Sequence, residues 1–186
     1  MPRTIHLIRH GQSTFNAHWE STGIDPLHFD ARLSALGEQQ VKERRQQFSG
    51  ERYDLIVTSP LTRALQTSLG IFGDTHPVSA FMIQPLHRER LEQSCDVGRH
   101  PSHLTSDFGH LTFSHLPDIW WENGGDIDHN GIRVEPHPLF TERVAAFRRW
   151  LAARPEASIA VVGHGTFFNA LTGKQLANCE LLDWMP

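Results

Sequence analysis

The chain has almost no cysteine. Cys95 and Cys179 are its only thiols in 186 residues; they stand far apart in sequence and make no metal-ligand spacing, so a disulfide framework is not expected and both read as free. There is no long apolar run either: nothing approaches the ~18 residues that a membrane-crossing helix needs. Met1-Pro2-Arg3-Thr4 leads straight into a strand, leaving no room for a signal peptide, and the cytoplasm is the expected location. Excess charge is missing too. A formal net charge of -4 sets up no general field that would draw nucleic acid or an anionic membrane, so any anion site must be local. Repeats and low-complexity linkers are absent, and 186 residues with 39% hydrophobic content suit one domain with a sizeable core, where two domains would each bury too little.

Histidine, by contrast, is abundant. Of the 13 in the chain, His100, His103, His110 and His115 form a loose group. Their spacing matches no closed zinc motif, and no cysteine or carboxylate completes one, so no metal is expected there.

The chemistry gathers at strand ends. Thr4-Ile5-His6-Leu7-Ile8 is an apolar, β-branched run of strand length, closed by a turn-rich stretch that begins at Gly11. Arg9 and His10 therefore fall at the carboxyl end of a strand, where the loops of an open α/β sheet form the ligand crevice. Arg9 can fork onto a phosphate and His10 can serve as nucleophile or base near neutral pH. Gly11 would let backbone amides approach an anion, with Ser13 and Asn16 as neutral donors. Taken alone, the dipeptide reads equally well as a basic cap on a strand.

Further along, Trp19 to Arg32 has no period and reads as loop. A helix starts near Leu33, with Ser34 as N-cap and Leu36, Val41 and Phe48 as its inner face. Tyr53 to Thr58 reads as a buried parallel strand. Ser59-Pro60 ends it and a helix opens with proline in its first turn, which sets Arg63 at a helix amino end, where anions are favoured. The commoner fate of an isolated helix arginine is solvation.

Val78 to Leu86 reads as a third strand, broken by Gln84-Pro85, that delivers Glu89 to the crevice. From Gly98 to Glu135 the composition turns to His, Gly, Pro and aromatics, which suggests an irregular lid. In it, Trp120 and Trp121 are expected to pack rather than to stack on a ligand, and Asn123-Gly124-Gly125-Asp126 to form a mobile turn. Phe140 to Leu151 has the apolar steps of a helix with one buried face, its arginines solvated. Ser158 to Val162 is the most hydrophobic strand, with Gly163-His164-Gly165-Thr166 at its tip, and Glu180 to Trp184 adds an edge strand.

Four phrases taken in order resemble one family. Leu7-Ile8-Arg9-His10-Gly11-Gln12-Ser13-Thr14-Phe15-Asn16, the helix start Leu33-Ser34-Ala35-Leu36-Gly37-Glu38-Gln39-Gln40, Ser59-Pro60-Leu61-Thr62-Arg63-Ala64-Leu65-Gln66-Thr67 and Gly163-His164-Gly165 resemble the histidine phosphatase superfamily, whose founding members are the cofactor-dependent phosphoglycerate mutases. The resemblance covers almost the whole chain. It implies a phosphohistidine on His10, a phosphate pocket of Arg9, Arg63 and His164 with help from Asn16 and Gly165, and Glu89 as the acid that protonates the leaving oxygen. Glu92 is the rival acid. Mutases carry an ERHYGxLxG phrase after that acid, and this chain instead reads Glu89-Arg90-Leu91-Glu92-Gln93-Ser94-Cys95-Asp96. Cys95-Asp96-Val97-Gly98 and Trp120-Trp121-Glu122 resemble a plant, fungal and bacterial subgroup of mutase-like proteins.

The order of elements suggests a three-layer α/β/α sandwich with a mostly parallel sheet, in one domain spanning 1–186 with a lid-like insertion at about 90–136; the resemblance implies that this fold is phosphoglycerate mutase-like. The expected activity is metal-independent hydrolysis of a small phosphomonoester to inorganic phosphate, with no cofactor, no nucleic acid, no membrane and the oligomeric state open. Neighbouring cations should keep His10 deprotonated, and a bound phosphate dianion should hold Glu89 protonated. Competing readings are a phosphoglycerate mutase, a protein phosphohistidine or phosphotyrosine phosphatase, a metal-dependent hydrolase using the histidine group, and a phospholigand-binding protein without catalysis.

Overall fold

The structure is a computed structural model that describes residues 3–48, 50–122 and 124–185. Of the turn expected at 123–126, Asn123 lies outside the described residues. Five strands form one sheet in the order β3-β2-β4-β1-β5. They are β1 (Thr4–Arg9), β2 (Leu55–Thr58), β3 (Phe81–Ile83), β4 (Ser158–Gly163) and β5 (Leu181–Asp183). The first four are mutually parallel, and β5 adds an antiparallel edge along β1. β1 and β4 run in register from Thr4 opposite Ser158 to Arg9 opposite Gly163.

The alternation of side chains along buried strands makes the layers. Ile5, Leu7, Leu55, Val57, Ile159 and Val161 face α5 (His137–Ala152) and α6 (Gly165–Thr172), where Phe140, Phe147, Phe167 and Phe168 complete one core. Ile8, Ile56, Ala160 and Val162 face the other way, onto α2 (Ala35–Gln47) and α3 (Thr62–Phe72), with Val41, Ala64, Ile71 and Phe72. Each such buried side chain is worth roughly 1.5–3 kcal/mol. The result is the three-layer sandwich expected of the sequence. Helix α2, after β1, lies on one face and α6, after β4, lies on the other, so the loops of these two neighbouring strands part and leave a crevice at their carboxyl ends.

Several local expectations are corrected. Helix α1 (Thr14–Thr22) carries the chain past Trp19 in helical form before Gly23 ends it in the left-handed region (φ 67°); its weak apolar periodicity hid it. Leu36 is exposed, and Gly37 and Val41 are the buried positions of α2. Pro60 precedes the N-cap Leu61 of α3 and is not in the first turn. The third strand is only Phe81–Ile83, flanked by single turns at Val78–Ala80 and Pro85–His87. Arg143 of α5 is buried. The stretch after Gly98 is less irregular than its composition suggests. It contains α4 (Pro101–Asp107), and Leu104, Phe108, Leu111, Phe113, Leu116 and Trp120 build a third apolar cluster against Leu61, Leu65 and Ile83. Trp120 is packed there, donating its indole N–H to the Arg99 carbonyl at 2.9 Å. No helix is long and apolar enough to cross a membrane among the described residues.

Candidate active site

The loop that leaves β1 is fixed before it does any chemistry. Gly11 and Gly37 meet face to face: a Cβ on Gly11 would stand 2.8 Å from the Gly37 carbonyl oxygen, and one on Gly37 would stand 2.0 Å from that of Gln12. Around this contact Ser34 donates its N–H to the Gln12 carbonyl at 2.9 Å and its hydroxyl to the Gln12 side chain at 2.7 Å, while Gln12 donates its N–H to Gln40 at 2.8 Å. The Gly11 amide is already spent on the Thr67 hydroxyl at 3.0 Å, so it does not serve an anion. Ser13 is likewise committed. It caps α1 in a reciprocal box with Asn16, whose Oδ1 accepts from the Ser13 N–H at 3.1 Å. The helix-start phrase around Ser34 is therefore a cradle for the loop that carries His10.

A hollow of about 290 Å³ opens at the carboxyl ends of β1 and β4. Arg9, His10, Asn16, Arg63, Glu89 and Gly165 all line it, and Glu92 stands at its edge, paired with Arg90 at 2.5 Å. His164 lies just behind, fully buried, its ring 5.2 Å from that of His10.

His10 is buried, and its Nδ1 donates to the Gly11 carbonyl at 2.7 Å. That bond puts the proton on Nδ1 and leaves a lone pair on Nε2, onto which Arg63 donates its Nε–H at 3.2 Å. Burial, then the Arg63 and Arg9 cations, push the His10 pKa well below its ordinary value. Arg63 is held by the Cys95 carbonyl at 2.5 Å and by the Asp96 carboxylate at 2.9 Å. Burial works against its charge, and the surrounding acidic groups, Asp96 among them, more than offset this. Arg9 gives one N–H to the Leu176 carbonyl at 2.8 Å and keeps a buried Nε with no partner among the described residues. Gly165 makes room for it, since a Cβ there would lie 3.1 Å from that nitrogen.

Glu89 occupies the amino end of α6. Its Oε1 accepts from the Phe167 N–H at 2.9 Å and the Arg90 N–H at 3.0 Å, and its Oε2 from the Thr166 N–H at 3.0 Å. The Thr166 and Phe167 amides at the start of α6 are thus taken by this carboxylate. Oε1 has both lone pairs engaged and Oε2 has one left, the position open to a proton. Burial first, and the nearby Asp96 carboxylate second, raise the Glu89 pKa, against the pull of those amides and of Arg63. No phosphate is needed to move it in that direction.

The segment bearing Glu89 is braced from below. Arg143 donates to the carbonyls of Leu86 at 2.9 Å, Arg88 at 2.8 Å and Glu89 at 3.3 Å, and to both oxygens of Glu135. Arg88 is buried beside the same carboxylate at 3.5 Å, and burial, with Arg143 as a like charge, pushes its pKa down to about 9. Asp30 does similar work for α3, accepting from the Thr62 N–H at 2.7 Å and binding Arg99 at 2.7 Å.

Sequence reading missed Asp96, Asp30, Glu135 and Arg143. Only Asp96 lies within a phrase that had been noticed, Cys95-Asp96-Val97-Gly98. Both cysteines are free and buried. Among the described residues no three His, Cys, Asp or Glu side chains are grouped to hold a metal; of the loose histidine group, His100 pairs with Asp118 and His115 bonds the Ile83 carbonyl.

A model of the histidine phosphatase superfamily (branch 1) matches residues 5–184. The chain belongs to that superfamily. It is 29% identical over 233 residues to a phosphoglycerate mutase-like protein of Arabidopsis thaliana, covering 96% of this chain and 82% of the relative. To a glucosyl-3-phosphoglycerate phosphatase of Mycolicibacterium vanbaalenii it is 27% identical over 178 residues, covering 94% and 74%. Its fold is similar to that of the alpha-ribazole phosphatase of Shigella flexneri, with a TM-score of 0.63 at 19% identity over 96% of this chain and 88% of that one. The protein is thus a phosphatase of the histidine phosphatase superfamily, with a phosphoglycerate mutase-like fold.

Proposed function

We propose that the protein is a metal-independent phosphomonoesterase that hydrolyses a small phosphorylated metabolite through a phosphohistidine on His10. The observation that carries this reading is the lone pair on His10 Nε2. It stands at a pocket walled by two arginines and by a carboxylic acid with one free proton position.

His10 Nε2 attacks phosphorus in line, the P–N bond forms and the bond to the leaving oxygen breaks, and the Glu89 Oε2 proton passes to that oxygen. Arg63, released from Nε2 as the new bond forms, turns its Nε–H to a phosphoryl oxygen. The Arg9 Nε and the amide of Asn16 take others as charge spreads. The His164 Nδ1 is buried without a partner among the described residues, and its Nε2 lies 2.8 Å from the Ser59 hydroxyl. With Ser59 donating, Nδ1 carries the proton and is a reserve donor for the phosphoryl group. In the second step water attacks phosphorus, gives its proton to Glu89, and the P–N bond breaks to release inorganic phosphate.

Phosphate release from a panel of phosphomonoesters, measured with chelator present, tests this reading. Release that ignores chelator and disappears in His10→Ala supports it. Release that survives in His10→Ala, or that chelator abolishes, contradicts it.

A further inference from the structure

The reactive pocket does not end at its mouth. Trp19 and Gln93 line it and also line a second hollow of about 300 Å³, whose other walls include Ile24, Asp25, Asp128, His129 and Asn130. Trp19 lies flat against Phe15, with ring centroids 5.7 Å apart and 15° between planes, and is 40% exposed. Phe15 covers one ring face, and the partly exposed ring borders both hollows.

The charge of the second hollow is one-sided. Among the described residues its lining carries two carboxylates, Asp25 and Asp128, and no lysine or arginine. Asp25 is structural, its oxygens accepting from Leu27 N–H and from the Ser94 hydroxyl and N–H. Among the described residues Asp128 uses only Oδ1, which holds a turn by accepting from Asn130 N–H at 2.9 Å and Ile132 N–H at 2.7 Å, so Oδ2 remains to accept from a ligand. Arg90, at the rim of the first pocket, is committed to Glu92 and the Glu135 carbonyl.

We infer that this second hollow takes the leaving group, and that the leaving group is an uncharged, polyhydroxylated ring, a sugar, lying on the Trp19 ring face opposite Phe15 with hydroxyls toward Asp128 and Asn130. The inference rests on the phosphomonoesterase reading of the adjoining pocket. An aromatic face offers area to the C–H side of a sugar ring, while carboxylate and amide groups accept and donate to its hydroxyls. A leaving group that carries its own carboxylate or second phosphate meets two negative charges and no cation, which disfavours it.

The test is kcat/KM by phosphate release for glucose 6-phosphate, glycerol 3-phosphate, 3-phosphoglycerate and a phosphotyrosine peptide. They are measured on the protein, Trp19→Ala and Asp128→Asn, with His10→Ala as the blank. Glucose 6-phosphate is expected to lead, and 3-phosphoglycerate to trail glycerol 3-phosphate. Trp19→Ala should lower kcat/KM for glucose 6-phosphate by roughly tenfold, through KM, and by clearly less for the acyclic glycerol ester. Asp128→Asn keeps the Oδ1 acceptor of the turn and should raise 3-phosphoglycerate severalfold relative to glycerol 3-phosphate. His10-dependent release without preference for the sugar, an equal loss on all esters in Trp19→Ala, or a faster phosphotyrosine peptide overturns the assignment of the second hollow and leaves the phosphomonoesterase reading standing. Absence of His10-dependent release from all four and from p-nitrophenyl phosphate overturns that reading, and this inference with it.

Discussion

Two buried arginines, Arg63 and Arg143, are each paired with a buried carboxylate, yet they do different work. Arg143 spends its donors on Glu135 and on the carbonyls of Leu86, Arg88 and Glu89. Every partner is part of the fold, and the group is a brace. Arg63 anchors to Asp96 and the Cys95 carbonyl but turns its Nε–H to the lone pair of His10. In the proposed mechanism that one bond is to the reacting atom and is exchanged for a phosphoryl oxygen. The difference lies in where the last donor points, not in burial or pairing, and it can be read only from three-dimensional geometry.

The sharpest way to break the comparison is to remove each arginine in turn. Arg63→Ala is expected to lower kcat by about 10³–10⁵, as loss of a charge that meets a transferring phosphoryl group does. The fold should survive, since burial already raises the Asp96 pKa and lets it take up a proton when its partner is gone. Steady-state phosphate release beside a urea melt separates the two effects. Arg143→Ala should instead cost about 3–5 kcal/mol of stability, because Glu135 is left buried near a weaker partner. The urea midpoint reads that loss, and an unchanged midpoint would show that the brace carries no load.

A subtler variant sharpens the comparison through pH. The Asp96 carboxylate is the second cause of the raised Glu89 pKa, after burial. With Glu89 as the proposed acid, kcat/KM is expected to fall as pH rises through its raised pKa, and on the acidic side to fall as His10 takes a proton below its depressed one. In Asp96→Asn the Glu89 pKa drops, and the alkaline limb should move to lower pH. A limb that stays in place would remove Glu89 as the titrating acid. The smallest effect is expected at Leu36, which is exposed on α2; Leu36→Glu should shift stability by no more than about 0.5 kcal/mol.

The residues of the proposed mechanism were legible because each belongs to a local phrase at a strand tip: Arg9 and His10 at the end of β1, Arg63 after β2, His164 after β4. The layered sheet was legible for a similar reason, since buried parallel strands are short apolar runs. What supports them was not, because it is built from partners distant in sequence. Asp30 caps α3 across 32 residues. Arg143 reaches back more than 50 residues to the Glu89 segment, and on its own helix it looked like one more solvated arginine. Leu36 misled in the opposite direction, as an apolar residue beside Gly37, whose missing side chain, not its neighbour's bulk, lets α2 approach the His10 loop.

The most direct measurement is a rapid acid-free quench of the protein during turnover of a ³²P-labelled phosphomonoester, followed by mapping of the protein-bound label. The account predicts label on His10 that is stable in base, lost in mild acid and absent from His10→Ala. Turnover at full rate with no label on His10, or with label on another residue, would contradict it.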